Sequence, residues 1–224
     1  MVKQKYNCST QVGYHTTQYC QYTVKAGYDE GDYADVYRNR LSLTPFEKLF
    51  FEGLTQTLKQ GSEVLDLGSG PGIPYDLYLI QMRYDVTGID ISEKHIDMAR
   101  NNVPQTKYIL GDFLDYPFPK EQFDAVISLY ALFHIPRDRH TEVISKIAST
   151  LKPSGHLLIT VGTEDVDYKE RDVFCKSKMA WSYFDTETNK DIISQCGFTI
   201  LKALNEKDYG STEKHLWILA IKND

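Results

Sequence analysis

Apolar positions change their period several times along this chain, and the changes mark out its elements. Thr44, Pro45 and Glu47 read as a capping box with proline at the first helical position, after which Phe46, Leu49, Phe50, Leu54 and Leu58 recur at helical spacing. Short, largely unbroken apolar runs follow at 64–67, 86–89, 108–110, 125–129 and 157–161. Such runs suit strands covered on both faces. Between them, residues 73–81, 92–102 and 139–151 read as helices, the last placing His140, Val143, Ile144, Ile147 and Leu151 on one stripe. Alternation of this kind predicts an α/β fold with a Rossmann-like, doubly wound sheet.

The two ends depart from this rhythm. A helix over 185–196, stopped by Gly197, leads into strand-like runs at 198–204 and 215–221. The segment joining them holds Asp208, Gly210 and Ser211 and is too polar and turn-rich for a crossover helix, so these strands should pair antiparallel. Residues 1–40 are rich in Tyr, Thr and Gln without a clear period. The expected organisation is one domain: an arm or lid at 1–40, a core at 41–162, an insert at 163–184, and a terminal helix and hairpin at 185–224.

Candidate chemistry begins where the first buried strand runs into Asp66-Leu67-Gly68-Ser69-Gly70-Pro71-Gly72. Gly68 and Gly70 are expected to let a ligand approach the backbone, and Gly72 to let the turn close onto a helix whose free N–H groups favour an anion. Pro74 is expected in the first turn of that helix. Asp90, followed by Ile91, ends the second strand, where a carboxylate can accept from both hydroxyls of a ribose. Asp112 ends the third and can accept from the exocyclic amine of adenine, with Phe113 beside the ring.

With Phe123-Asp124-Ala125-Val126-Ile127-Ser128 and Leu151-Lys152-Pro153-Ser154-Gly155-His156-Leu157, this ordered set resembles the class I S-adenosylmethionine-dependent methyltransferases over roughly residues 40–224. The resemblance implies seven strands with the final one antiparallel, and S-adenosylmethionine as cofactor, leaving S-adenosylhomocysteine. It implies that Asp66, Gly68, Ser69, Gly70 and Gly72 surround the methionine part. It puts Asp90 with Ile91 at the ribose, Asp112 with Phe113 at the adenine, and Ser128, Leu129 and Tyr130 near the sulfonium. Ser154 departs from the family, which often has a second glycine there, as does Ile73-Pro74 at the helix start.

Methyl transfer from a sulfonium is an in-line displacement, so positioning supplies much of the catalysis. His134, just beyond the fourth strand, is the candidate base if the acceptor is a hydroxyl or amine, and otherwise braces its turn. The acceptor pocket is expected between the arm, marked by Tyr28, Tyr33 and Tyr37, and the insert, marked by Met179, Trp181, Tyr183 and Phe184. A small, flat or apolar acceptor fits such aromatics.

Composition narrows the alternatives. Against 25 basic residues stand 31 acidic ones, a formal charge of −6, which disfavours nucleic acid as a partner. No apolar run approaches the ~20 residues a bilayer requires, and the opening residues lack a signal-peptide pattern, so a cytoplasmic monomer or homodimer without a membrane partner is expected. The four cysteines form no Cys-x-x-Cys pair, and Cys8, His15 and Cys20 match no familiar zinc spacing, so no metal is expected. A nicotinamide-dependent oxidoreductase would want glycine where Ile73 stands. A non-catalytic cofactor-binding module would show a plugged acceptor site, and an enzyme an open one.

Overall fold

The computed structural model describes residues 11–224, with side chains described from residue 21 onward. Helix α1 (Gln11–Glu30) and the short α2 (Tyr33–Tyr37) precede α3 (Pro45–Thr55). Then follow β1 (Glu63–Leu67), α4 (Tyr75–Gln81), β2 (Asp85–Asp90), α5 (Glu93–Asn102), β3 (Lys107–Leu110) and β4 (Phe123–Ser128). The second half comprises α6 (His140–Thr150), β5 (Leu151–Val161), β6 (Val166–Phe174), β7 (Ser177–Tyr183), α7 (Thr186–Gln195), β8 (Phe198–Asn205) and β9 (Leu216–Lys222).

Seven strands form one sheet in the order β3-β2-β1-β4-β5-β9-β8, parallel from β3 to β5, with β9 antiparallel to both neighbours. This is the predicted doubly wound sheet with its antiparallel end. Alternate residues serve opposite faces: Val64 and Leu158 pack with Phe50, Leu54 and Trp217, whereas Leu65, Leu157 and Ile159 pack with Val143, Ile144 and Ile147. Local signals set the helix starts. Thr44 and Glu47 complete the capping box of α3, Ser92 accepts from His95 N at α5, and Asp185 accepts from Glu187 N and Thr188 N at α7.

Two regions differ from the sequence reading. The insert, to which the sequence reading assigned no elements, is a separate two-stranded sheet, β6 with β7. Its inner strand packs against α1, where Val24 meets the fully buried Met179 and Ala180. The described part of the arm is largely helical, because its order comes from covering other elements rather than from an amphipathic stripe of its own. The order in which strands are added reverses between the parallel β1 and β4, and the crevice beyond their carboxyl ends is the place such sheets offer a ligand; α1 and the β6–β7 hairpin roof that edge.

Candidate functional site

The glycine loop leaves β1 through three residues with positive φ, Gly68 at 79°, Gly70 at 54° and Gly72 at 75°. Only one of them faces open space. A Cβ on Gly70 would meet nothing within 4 Å, whereas one on Gly68 would lie 2.5 Å from the Ala131 Cβ and one on Gly72 2.3 Å from the Tyr108 hydroxyl. Gly70 thus leaves room for a ligand to approach, while packing against Ala131 and Tyr108 excludes a side chain at Gly68 and Gly72. Pro74 stands at the N-cap of α4, one position before the first helical residue, rather than inside its first turn.

Beside the loop lies an inner cavity of about 90 Å³. Asp66, Gly68, Ser69, Gly70, Asp90, Ile91, Asp112, Phe113, Leu129 and Tyr130 line it. Ser128 and Gly72 are outside it: the Ser128 hydroxyl donates to the Leu67 carbonyl at 3.1 Å, and Gly72 turns toward Tyr108. Asp90 accepts from Gly70 N and Ser92 N, both at 2.8 Å, which fixes its carboxylate at the strand end. Asp112 accepts from Leu114 N at 2.8 Å and from the Gln21 amide of α1 at 2.7 Å. Burial raises its pKa.

Asp66 is buried beside a second carboxyl, that of Asp76. Burial, then the Asp76 carboxyl, pushes its pKa well above the ordinary carboxylate range, and burial carries Asp76 up to about 6. Asp66 Oδ1 and Ser69 Oγ are buried without a hydrogen-bond partner among the described residues. Two unpartnered polar atoms on the wall of a cavity mark a place for a ligand carrying donors, and a cationic donor would relieve Asp66 most.

A second, larger cavity of about 740 Å³ opens alongside, between the arm, the β6–β7 hairpin and the turn before β9. Tyr33, Tyr37, Trp181 and Tyr183 line it as expected. The remaining predicted pocket residues do not. Tyr28 lines the inner cavity, Met179 is wholly buried against α1, and Phe184 stands edge-on to His140 with the Arg137 guanidinium over its ring. Their side chains follow strand alternation and the exit from β7, which residue type alone does not reveal.

Tyr33, Arg38, Tyr130 and His134 border both cavities. His134 Nδ1 donates to the Ala180 carbonyl and Nε2 accepts from the Tyr28 hydroxyl, each at 2.8 Å, which sets the tautomer. Burial pushes its pKa down to about 4, so the ring is neutral near pH 7. Tyr130 has φ 61°, a left-handed conformation held in place by its amide, which donates to Thr160 Oγ1, and its hydroxyl, which donates to Glu206 at 3.0 Å. Arg38 sits inside a cage of Tyr33, Tyr75 and Tyr130, its Cζ 5.4, 5.5 and 4.4 Å from their ring centroids. The sequence reading missed Arg38 and Gln21, since nothing in their local pattern separates them from solvated arm residues.

Residues 64–155 match a sequence profile described as a methyltransferase domain. The chain is 29% identical over 167 residues to an uncharacterised methyltransferase of Synechocystis, covering 70% of this chain and 75% of that one. The chain is an S-adenosylmethionine-dependent methyltransferase. Another relative, the phosphoethanolamine N-methyltransferase of Plasmodium falciparum, is 29% identical over 159 residues, which is 68% of this methyltransferase but 59% of the relative. The fold is shared with a Burkholderia thailandensis 1,6-didemethyltoxoflavin-N1-methyltransferase whose structure holds 1,6-didemethyltoxoflavin and S-adenosylhomocysteine. That likeness has a TM-score of 0.69 at 17% identity and covers all of this chain (100%) and 94% of that one.

S-adenosylmethionine is the methyltransferase's cofactor, and the inner cavity's residues fit it. The unpartnered Asp66 Oδ1 suits an ammonium, the open side of Gly70 suits close contact with a ligand backbone, and Asp90 and Asp112 keep lone pairs for hydroxyl and amine donors. A nicotinamide-dependent oxidoreductase is set aside by the family and by the antiparallel β9. Among the described residues, no cluster of His, Cys, Asp and Glu could hold a metal. Cys175 and Cys196 are free thiols, while Cys8 lies outside the described residues, as do the side chains of His15 and Cys20. No described helix is long and apolar enough to cross a membrane.

Proposed function

We propose that this methyltransferase transfers a methyl group to a small molecule bound in the outer cavity, using a donor bound in the inner one. The observation that carries the reading is that two cavities of different chemistry share one wall, made by Tyr33, Arg38, Tyr130 and His134. Bound S-adenosylmethionine supplies an electrophilic methyl group on a sulfonium. Asp66, Ser69 and Gly70 are assigned to its amino-acid end, Asp90 and Ile91 to the ribose, and Asp112 and Phe113 to the adenine, with Leu129 and Tyr130 close to the reacting centre. The relatives that act on phosphoethanolamine and on 1,6-didemethyltoxoflavin by name support a small acceptor for this chain.

The residues at the shared wall position rather than activate. A histidine whose pKa lies near 4 and whose accepting nitrogen already holds the Tyr28 hydroxyl is a weak base at pH 7. Its proposed role is to fix Tyr28 and, through the Ala180 carbonyl, to anchor β7 beside the cofactor. The aromatic walls exclude water and hold the acceptor in line, the term worth most in a displacement without proton bookkeeping.

Calorimetry with S-adenosylhomocysteine tests the donor site: micromolar binding is expected for the wild type, with a loss of roughly 100-fold in Asp90→Ala, whose carboxylate also holds the loop through Gly70 N. Unchanged affinity in the variant, or no binding by the wild type, would remove the assignment. Release of S-adenosylhomocysteine over a panel of small metabolites then tests the acceptor site.

A further inference from the structure

The outer cavity is positively charged within a chain of net charge −6. Its acidic side chains are mostly committed. Glu47 is held by Arg40, the Tyr75 hydroxyl and Thr44 N, Glu164 pairs with Lys214 at 3.0 Å, and Glu206 is bonded to the Tyr130 hydroxyl and to His215. Glu213 is exposed. Three lining cations, Arg38, Lys169 and Arg171, have no carboxylate within ion-pair distance among the described residues.

Two of these cations, Arg38 and Arg171, lie against rings. Arg38 is enclosed by three tyrosines, donates one N–H to the Tyr37 carbonyl at 3.0 Å, and has no other side-chain hydrogen bond among the described residues. Arg171, on β6, places its Cζ 5.7 Å from the Trp181 ring centroid. Between them runs a continuous aromatic wall: Tyr33 lies 6.3 Å from Phe174, and Phe174 lies 5.0 Å from Trp181. A guanidinium desolvated by rings keeps its planar fork of donors, and that fork matches a carboxylate or phosphate. Arg171 is exposed, whereas a neutral or cationic acceptor leaves the ring-enclosed Arg38 guanidinium unanswered.

We infer that the methyl acceptor carries a carboxylate or phosphate on a flat body, its anionic group paired with Arg38 at the inner end of the cavity or Arg171 at its mouth, and its body against the Tyr33–Phe174–Trp181 wall. This rests on the outer cavity being the acceptor site. The inner cavity is lined by Asp66, Asp90 and Asp112 and shares only Arg38 among its Lys and Arg residues, so Lys169 and Arg171 put the further positive charge on the acceptor's side of the shared wall.

The test uses protein saturated with S-adenosylhomocysteine, titrated with benzoate, phenyl phosphate, benzyl alcohol and benzylamine. Benzoate or phenyl phosphate should bind at least about tenfold tighter than benzyl alcohol, and benzylamine weakest, with the anion preference shrinking as salt rises. The stronger of the two anions identifies the group. Arg38→Gln and Arg171→Gln together should abolish the preference, and Arg38→Lys should restore part of it. Three results overturn the inference: equal binding of anion and alcohol, anion binding unchanged in the double variant, or an Arg38→Gln variant whose S-adenosylhomocysteine affinity falls while its anion preference persists. If the wild type fails to bind S-adenosylhomocysteine at all, the donor-site reading falls instead, so the two failures are separable.

Discussion

The two cavities are built on opposite plans. The inner one is built mostly from residues at or just beyond the ends of adjacent parallel strands, closed by α1, Tyr33, Arg38, Tyr75 and His95, and its strand ends are held by short local bonds such as Gly70 N and Ser92 N on Asp90. The outer one is assembled from segments distant along the chain: the arm at 33–47, the turn at 130–134, the hairpin at 166–183 and the loop at 206–215. The first plan gives a fixed geometry for a fixed ligand. The second leaves the cavity's shape to loops that can change without disturbing the sheet, which suits a family with one donor and many acceptors.

The largest effect that would sharpen this contrast comes from Gly68→Ala. The new methyl would sit 2.5 Å from the Ala131 Cβ at a φ of 79°, so a loss of roughly 3 kcal/mol or more in urea unfolding is expected. A loss under 1 kcal/mol would show that the inner site is less rigid than its packing indicates.

Acid should strike the other plan. His134 and His140, both buried and both pushed down by burial to about 4, flank the hairpin: His134 donates to Ala180 of β7, and His140 packs on Phe184 beyond its end. Each binds a proton more readily unfolded than folded, so the stability their neutral forms contribute is complete above pH ~6.5 and is lost as pH falls toward 4, by up to about 3 kcal/mol per ring. Hydrogen exchange at pH 5 against pH 7 should show the β6–β7 amides deprotected before those of β1 and β4. Simultaneous loss in both regions would break the comparison.

A smaller effect tests the one place where the plans meet. Gln21 of α1 donates to Asp112 in the inner cavity, where the adenine amine is proposed to bind, and α1 also contributes Val24 and Tyr28 to that small space. Arm and cofactor then compete. Gln21→Ala should tighten S-adenosylhomocysteine binding about three- to tenfold in calorimetry, the size of one hydrogen bond. Weaker binding would mean that Gln21 assists the ligand instead.

The antiparallel end of the sheet was legible because the polar segment 205–214 excluded a crossover helix, and it appears as β8 and β9. The cap of α3 was legible because Thr44, Pro45 and Glu47 act on one another within four residues. Ser154 was noted as departing from glycine, and it adopts φ 56° with its hydroxyl donating to Asp224. By contrast, the hairpin at 166–183 went unread because its outer strand is mostly exposed and charged, with no alternation of polarity to follow.

The sequence alone determined the order of the main sheet's strands and its covering helices, the antiparallel end, and the carboxylates at the strand ends beside the glycine turn, because each depends on a few neighbouring residues. Only the tertiary structure decided which aromatics face a cavity, that Met179 is core, that His134 is neutral and bonded to Tyr28, and that Arg38 stands caged between the two cavities. Those facts arise where segments far apart in the chain come together, and burial there sets charge and orientation in ways that residue type and spacing do not encode.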